Sequence, residues 1–270
     1  ASTMQGIATL VYNSPACTDI LQSTGHTFAI VSDTHQLDKA ISRLEQDDFR
    51  DLYVRRVQRY LNQNFGTQAV TDNYAYLVDC NTYDKSIFAS KPRRIVFVSH
   101  NLSQAEGAPW SLFELACAMR SSDVAPYGYS PCPGPLQEQY EKVGIPLTIF
   151  DRQSRHAVKA LNNRYAAIRR NFQNYLAENE IDAVVCNTVK TAPFADFASE
   201  IGISSLIIVR ESYSAEERFS HFTGGARIAA TRGLTSAPEI VFVAQTSRDK
   251  WADQPFQGRI HVIPNGISSN

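Results

Sequence analysis

RRIVFVSHNLSQAEGAPWSLFELACAM, residues 93–119, decides the fold. Ile95-Val96-Phe97-Val98-Ser99 is a continuous apolar run, and a run without alternation belongs to a strand covered on both faces. A polar, small-residue loop follows. From Ser111 to Arg120 the apolar residues Leu112, Leu115, Ala116 and Met119 recur at helical spacing. Strand, loop and helix in that order open a parallel α/β unit.

Outward from this stretch the pattern repeats. Strands are expected at 124–129, 147–150, 183–186, 206–209, 240–243 and 260–263, and helices at 135–143, 156–178, 193–201 and 247–253. Gly144 and Gly202 stand where a helix stops before a buried strand, as a helix-terminating glycine does. Residues 93–270 therefore read as a doubly wound, Rossmann-like parallel sheet. Residues 1–85 read differently: two strands, 7–12 and 28–32, precede a helical tract over 36–78 that breaks near Asp47 and Gly66. Leu37, Ala40, Ile41 and Leu44 form one apolar stripe, and Leu52, Val57, Tyr60, Leu61 and Phe65 a second, so both helices need a surface to cover them. Residues 86–92 read as the linker.

Composition narrows the function. A formal net charge of −1 gives no overall pull towards nucleic acid. The longest apolar runs fall far short of the ~20 residues that cross a bilayer. Five cysteines, Cys17, Cys80, Cys117, Cys132 and Cys186, form no C-x-x-C pair, which suggests neither a disulfide framework nor a zinc cluster and favours a reducing compartment. The six histidines show no metal-binding spacing. The opening ASTMQGIATLVY lacks the basic region of a secretory signal and an initiator Met, and is read as the start of a piece of a longer chain.

In an open α/β sheet the ligand crevice lies at the carboxyl ends of the strands. After the first strand, Ser99 to Ser111 deliver a helix N-terminus, where free N–H groups suit an anion or a sugar hydroxyl; an ordinary glycine turn explains the loop equally well. His100 reads as a solvent-facing or capping histidine, Asn187-Thr188 as a cap or a polar-ligand contact. Arg210-Glu211 reads as a structural ion pair or a catalytic one, and Pro264-Asn265-Gly266 as a turn. The dinucleotide fingerprint, the nucleophile elbow and the P-loop are absent from the sequence.

Taken in order, RRIVFVSHNLSQAEGAPWSLFELACAM, IDAVVCNTVKT, LIIVRES, IVFVAQTSRDKW and IHVIPNGIS resemble the amino-terminal half of family 4 glycosyltransferases of the GT-B fold, over about residues 93–270. The resemblance implies that this half binds the acceptor. Acceptor contacts would come from His100, Glu106, Gly107, Ala108, Asn187, Thr188, Arg210 and Glu211, with Asn265 and Gly266 forming the interdomain turn. Residues 6–44 with 65–78 look instead like the end of a donor-binding domain, which implies a tandem polypeptide in which the tail of one module precedes the front of the next. The family's donor-site glutamates have no counterpart: Ala1, Ser2 or Thr3 stands at the second of them, and Arg210-Glu211 replaces a frequent histidine.

The expectation is a fragment of a retaining glycosyltransferase, inactive alone. Its partners would be the missing donor-binding domain of the same polypeptide and a glycan acceptor, with no nucleic acid. A nucleotide-sugar would be the complete enzyme's substrate, with no cofactor and no metal. Its place would be the cytoplasm, at most peripheral to the inner face of a membrane. Two rival readings are a non-catalytic Rossmann-like module recognising glycan or a partner, and a sugar-nucleotide epimerase of the same architecture.

Overall fold

The computed structural model describes residues 8, 10–12, 29–80 and 92–265, apart from 122, 155 and 212. The chain divides into two units, Ala1–Asp72 with Pro264–Asn270, and Asn73–Ile263.

In the first unit, β1 (Val11–Tyr12) pairs in parallel with β2 (Ile30–Val31). The Asp33 carboxylate accepts from the Gln36 N–H at 2.8 Å and so caps α1 (Thr34–Leu44). After α2 (Asp47–Phe65), Gly66 leads into α3 (Thr67–Cys80), whose residues from Asn73 onward belong to the second unit. The breaks thus fall where the sequence places them. The apolar stripes are covered only in part: Ala40, Val57 and Leu61 are buried, whereas Leu37, Ile41 and Leu52 are exposed. The buried line on α2 runs instead through Tyr53, Val54, Val57 and Leu61, packed with Ala29. That set is spaced i, i+1, i+4, i+8, so it follows the helix face more closely than one begun at Leu52.

The second unit is a seven-stranded parallel sheet. Its strands are β3 (Arg93–Ser99), β4 (Val124–Ser130), β5 (Leu147–Ile149), β6 (Ala183–Asn187), β7 (Ser204–Val209), β8 (Glu239–Phe242) and β9 (Arg259–Val262). Their order is β5-β4-β3-β6-β7-β8-β9, so the chain works outward from β3 to one edge, then returns to β6 and works outward to the other. The reversal puts a crevice between the carboxyl ends of β3 and β6. Every sequence-expected strand of this sheet is present. Between strands lie α4 (Gly107–Met119), α5 (Gln137–Lys142), α6 (Ala157–Glu178), α7 (Ala192–Ser199), α8 (Ala215–Phe219), α9 (Gly224–Ser236) and α10 (Gln245–Lys250). Gly144 and Gly202 follow α5 and α7 with φ of +67° and +77°, the left-handed geometry that ends a helix.

Three helices depart from the expectation. α4 begins at Gly107, a full turn before Ser111, because Pro109 fits the first helical turn. The sequence gives no expectation of α8 or α9; α9 buries Ala226, Ala229, Ala230 and Gly233 with Leu234 as its one large buried side chain, so it has helical spacing without a conspicuous apolar stripe. Beneath the helices, Tyr129 lies 4.8 Å from Phe172 and 5.6 Å from Phe194, ring centre to ring centre, in edge-on contacts. Burying each such phenylalanine fully contributes about 2–3 kcal/mol. The long α6 is interrupted at Arg164, where φ is −130° and ψ 29°. Among the described residues no helix is long and apolar enough to cross a membrane.

Candidate functional site

β3 and β6 run side by side, with Ser99 opposite Asn187 at their ends. Past Ser99 the loop turns on its own side chains: the Ser99 hydroxyl donates to the Asn101 carbonyl at 2.6 Å, and the Asn101 side-chain oxygen accepts from the Ser103 N–H at 3.1 Å. This aims the Asn101 amide at Glu106, which accepts from it at 2.7 Å and meets His100 Nε2 at 3.0 Å. Glu106 stands at the N-cap of α4 without bonding the helix, because both its oxygens are engaged by the loop. A Cβ on Gly107 would meet nothing within 4 Å, so the first turn of α4 faces open space.

His100 is not the solvent-facing or capping histidine the sequence suggests; it is 4% exposed. Burial, then the Lys190 ammonium, lower its pKa to about 4 against the pull of Glu106. The ring is neutral at pH 7, donates through Nε2 to Glu106, and leaves Nδ1 to the Thr188 hydroxyl at 3.4 Å. Burial opposes ionisation of Glu106, but the bonds from Asn101 and His100 outweigh it and hold the carboxyl below its ordinary range. Since unfolded histidine titrates near 6.5, the unfolded chain binds the extra proton first as pH falls. Stability contributed by neutral His100 is complete above 6.5 and is lost as pH falls through about 4. The displacement is worth roughly 3 kcal/mol. Urea unfolding followed through the near-ultraviolet signal of the aromatic core should show this loss between pH 7 and 4, and His100→Gln should flatten it.

Asn187 is fully buried at the end of β6. Its amide donates to the Ala108 carbonyl at 2.8 Å, and its oxygen accepts from Arg210 Nε at 2.5 Å. It therefore clamps the first turn of α4 to the ends of β6 and β7. Thr188 follows with φ +75°, unfavourable for a branched side chain by about 1–3 kcal/mol. The strain is held by the Thr188 N–H donating to the Ile208 carbonyl at 2.8 Å and by the Thr191 hydroxyl donating to the Thr188 carbonyl at 2.9 Å. Thr188 caps nothing with its side chain. Glu211 accepts from the main-chain N–H groups of Val189 and Arg210, each at 3.0 Å, and burial pushes its carboxyl up. It braces the turn after β6 from behind.

Over these residues opens a cleft of about 560 Å³. His100 and Glu106 line it, as do Lys190 on the 3-10 turn Val189–Thr191, Lys159 on the first turn of α6, and Arg218 and His221 on and after α8. Of the sequence-expected residues, then, His100 and Glu106 reach the cleft, while Asn187, Thr188, Arg210 and Glu211 lie outside its lining, next to it. Gly107 and Ala108 open α4 beside Glu106. Asn265 belongs to the first unit and Gly266 lies outside the described residues. The cations went unnoticed in the sequence. Lys190 sat inside the NTVKT stretch already singled out; Lys159 and Arg218 stand on helices more than fifty residues apart, and no local motif joins them.

No family model matches the chain, and no curated protein does. Among solved structures it is similar to HepE of Anabaena in complex with UDP and glucose, at 19% identity and a TM-score of 0.47, over 65% of this chain and 45% of that one. It is also similar to MurG of Acinetobacter baumannii, at 14% identity and a TM-score of 0.43, over 65% of this chain and 46% of that one. A UDP-N-acetylglucosamine 2-epimerase shows 11% identity and a TM-score of 0.42, over 59% of this chain and 44% of the epimerase. The chain thus spans less than half the length of each. The cleft is placed by the sheet order of this chain itself.

Proposed function

We propose that Asn73–Ile263 is the acceptor-side half of a sugar-transferring enzyme and that the cleft above β3 and β6 holds a glycan. The observation that carries this reading is the Glu106 carboxylate at the mouth of the cleft. Fixed by Asn101 and His100, it keeps lone pairs for a ligand hydroxyl, and Asn163 and His221 add polar groups to the cleft lining. The sequence resemblance to family 4 glycosyltransferases supports the same assignment. Donor binding and the transfer step would fall to a second domain of the parent polypeptide.

The purified chain should bind members of a glycan panel, detected by saturation-transfer NMR, and the parent polypeptide should release nucleoside diphosphate from one nucleotide-sugar of a panel. Gly107→Trp adds an indole at the start of α4, where a Cβ meets nothing within 4 Å. It should leave the melting temperature within about 2 °C of the original while abolishing glycan binding. Unchanged binding would remove this loop from the site.

One observation favours the non-catalytic recognition module as a second reading. Glu106 is the sole carboxylate lining the cleft among the described residues, and it is held below its ordinary range, a poor base at pH 7. Glu211 is spent on the main chain. Glycan binding by the chain with no donor turnover by the parent would select that reading.

A further inference from the structure

Charge within the cleft is unbalanced. Lys159, Lys190 and Arg218 bring three permanent cations to its wall, against the single carboxylate of Glu106. They come from three separate elements, α6, the turn after β6, and α8, so the convergence is a product of the fold rather than of a local basic run. Lys159 and Lys190 make no ion pair or hydrogen bond with the described residues. Arg218 stacks on Tyr213, 4.3 Å from the ring centre, and its buried Nε has no hydrogen-bond partner among the described residues. The first turn of α6 points the same way: His156 at its N-cap makes no side-chain cap bond, and His156 through Lys159 line the cleft. Glu211 and Glu217 act on Arg218 electrostatically, but neither lines the cleft: Glu211 accepts from the main chain at Val189 and Glu217 closes the capping box of Ser214.

Resting on the glycan reading above, we propose that the saccharide taken by this cleft carries a phosphate group, bound between Arg218, Lys190 and the first turn of α6, with its hydroxyls at Glu106. Lys159, Lys190 and Arg218 outnumber the carboxylate that lines the cleft, and a phosphomonoester dianion offsets that excess more fully than a single carboxylate does. Arg218 supplies a planar fork suited to two phosphate oxygens, and the lysines supply point charges. Asn162 is not part of this set: its amide donates to the His221 carbonyl at 3.0 Å and its oxygen accepts from the Thr223 N–H at 3.0 Å, fixing the loop that positions Arg218.

The test is an NMR titration of the whole chain with glucose, glucose 6-phosphate, glucuronate and inorganic phosphate, on the native protein and on the Lys190→Gln, Arg218→Gln double variant. Both substitutions are on partly exposed side chains, and thermal melting of the variant confirms that it folds. Glucose 6-phosphate should bind at least about tenfold more tightly than glucose, glucuronate or inorganic phosphate, and the double variant should lose that preference. Glucose binding as tightly as its phosphate would overturn the phosphate assignment and leave the glycan reading standing. Inorganic phosphate matching the sugar phosphate, glucuronate matching it, or a preference that survives in the variant would each overturn the assignment too. No perturbation of cleft resonances by any sugar would overturn the glycan reading itself.

Discussion

Gly233→Val should strongly destabilise the seven-stranded unit. α9 lies on α7 through Ala226, Ala229, Ala230 and Gly233, and a Cβ at 233 would run into the Ala192 carbonyl oxygen and come within 3.0 Å of the Asp196 N–H. Both obstacles are main chain of a buried helix, so no rotamer change relieves them. The helices must separate, and in doing so they pull Arg232 off Asp196 and Glu200, the ion-pair cluster that ties them together. Overpacking against backbone at such a contact costs about 3 kcal/mol or more, which lowers the melting temperature by roughly 10 °C in a unit of this size. Thermal melting and soluble yield check it. Gly107→Ala, into open space, is the control that should change neither.

The second large effect concerns the clamp beneath the cleft. Asn187→Leu keeps the volume of a buried strand residue but removes the donor to the Ala108 carbonyl and the acceptor for Arg210 Nε. Each half-buried partner then loses a bond, and the combined cost is about 1–3 kcal/mol. The consequence reaches the ligand. With the first turn of α4 released, Glu106 loses its fixed position relative to His100, so glycan binding should fall by at least about tenfold even at a temperature where the variant is fully folded. Melting measured beside binding at 10 °C separates the two effects. A variant that is destabilised but binds normally would show that the clamp serves stability alone.

The central strands were legible because they are continuous runs such as Ile95 to Val98 or Leu206 to Val209, and burial on both faces leaves no room for polar alternation; β4 and the edge strand β9, with Pro126, Gly128 and His261 inside them, carried a weaker signal. α9 was not legible for the converse reason. Its contact surface is made by absence, Ala and Gly at i, i+3, i+4 and i+7, and small residues do not announce a buried face. The candidate site divides the same way. Glu106 and the loop before α4 were readable as the sequel of a strand, whereas the burial of His100 depends on Thr188 and Lys190 on another strand's loop. Arg210 and Glu211, neighbours in sequence, turn to different tasks, one to Asn187 and the other to the Val189 and Arg210 N–H groups. Adjacency suggests a pair, and main-chain donors after β6 and β7 take the carboxylate instead.

The strand order also sets a sequence in time. β3 can pair with β4 as soon as α4 has formed, and β7, β8 and β9 can add in turn to β6, since each of these pairings joins neighbours along the chain. The pairing of Ile95 with Ala183 has to close a loop of nearly ninety residues, the slowest contact in the unit by chain entropy. The cleft lies on that seam. Its two walls belong to halves that meet last, so a nascent chain would have a core before it had a binding site, and recovery of ligand binding on refolding would trail recovery of the aromatic core.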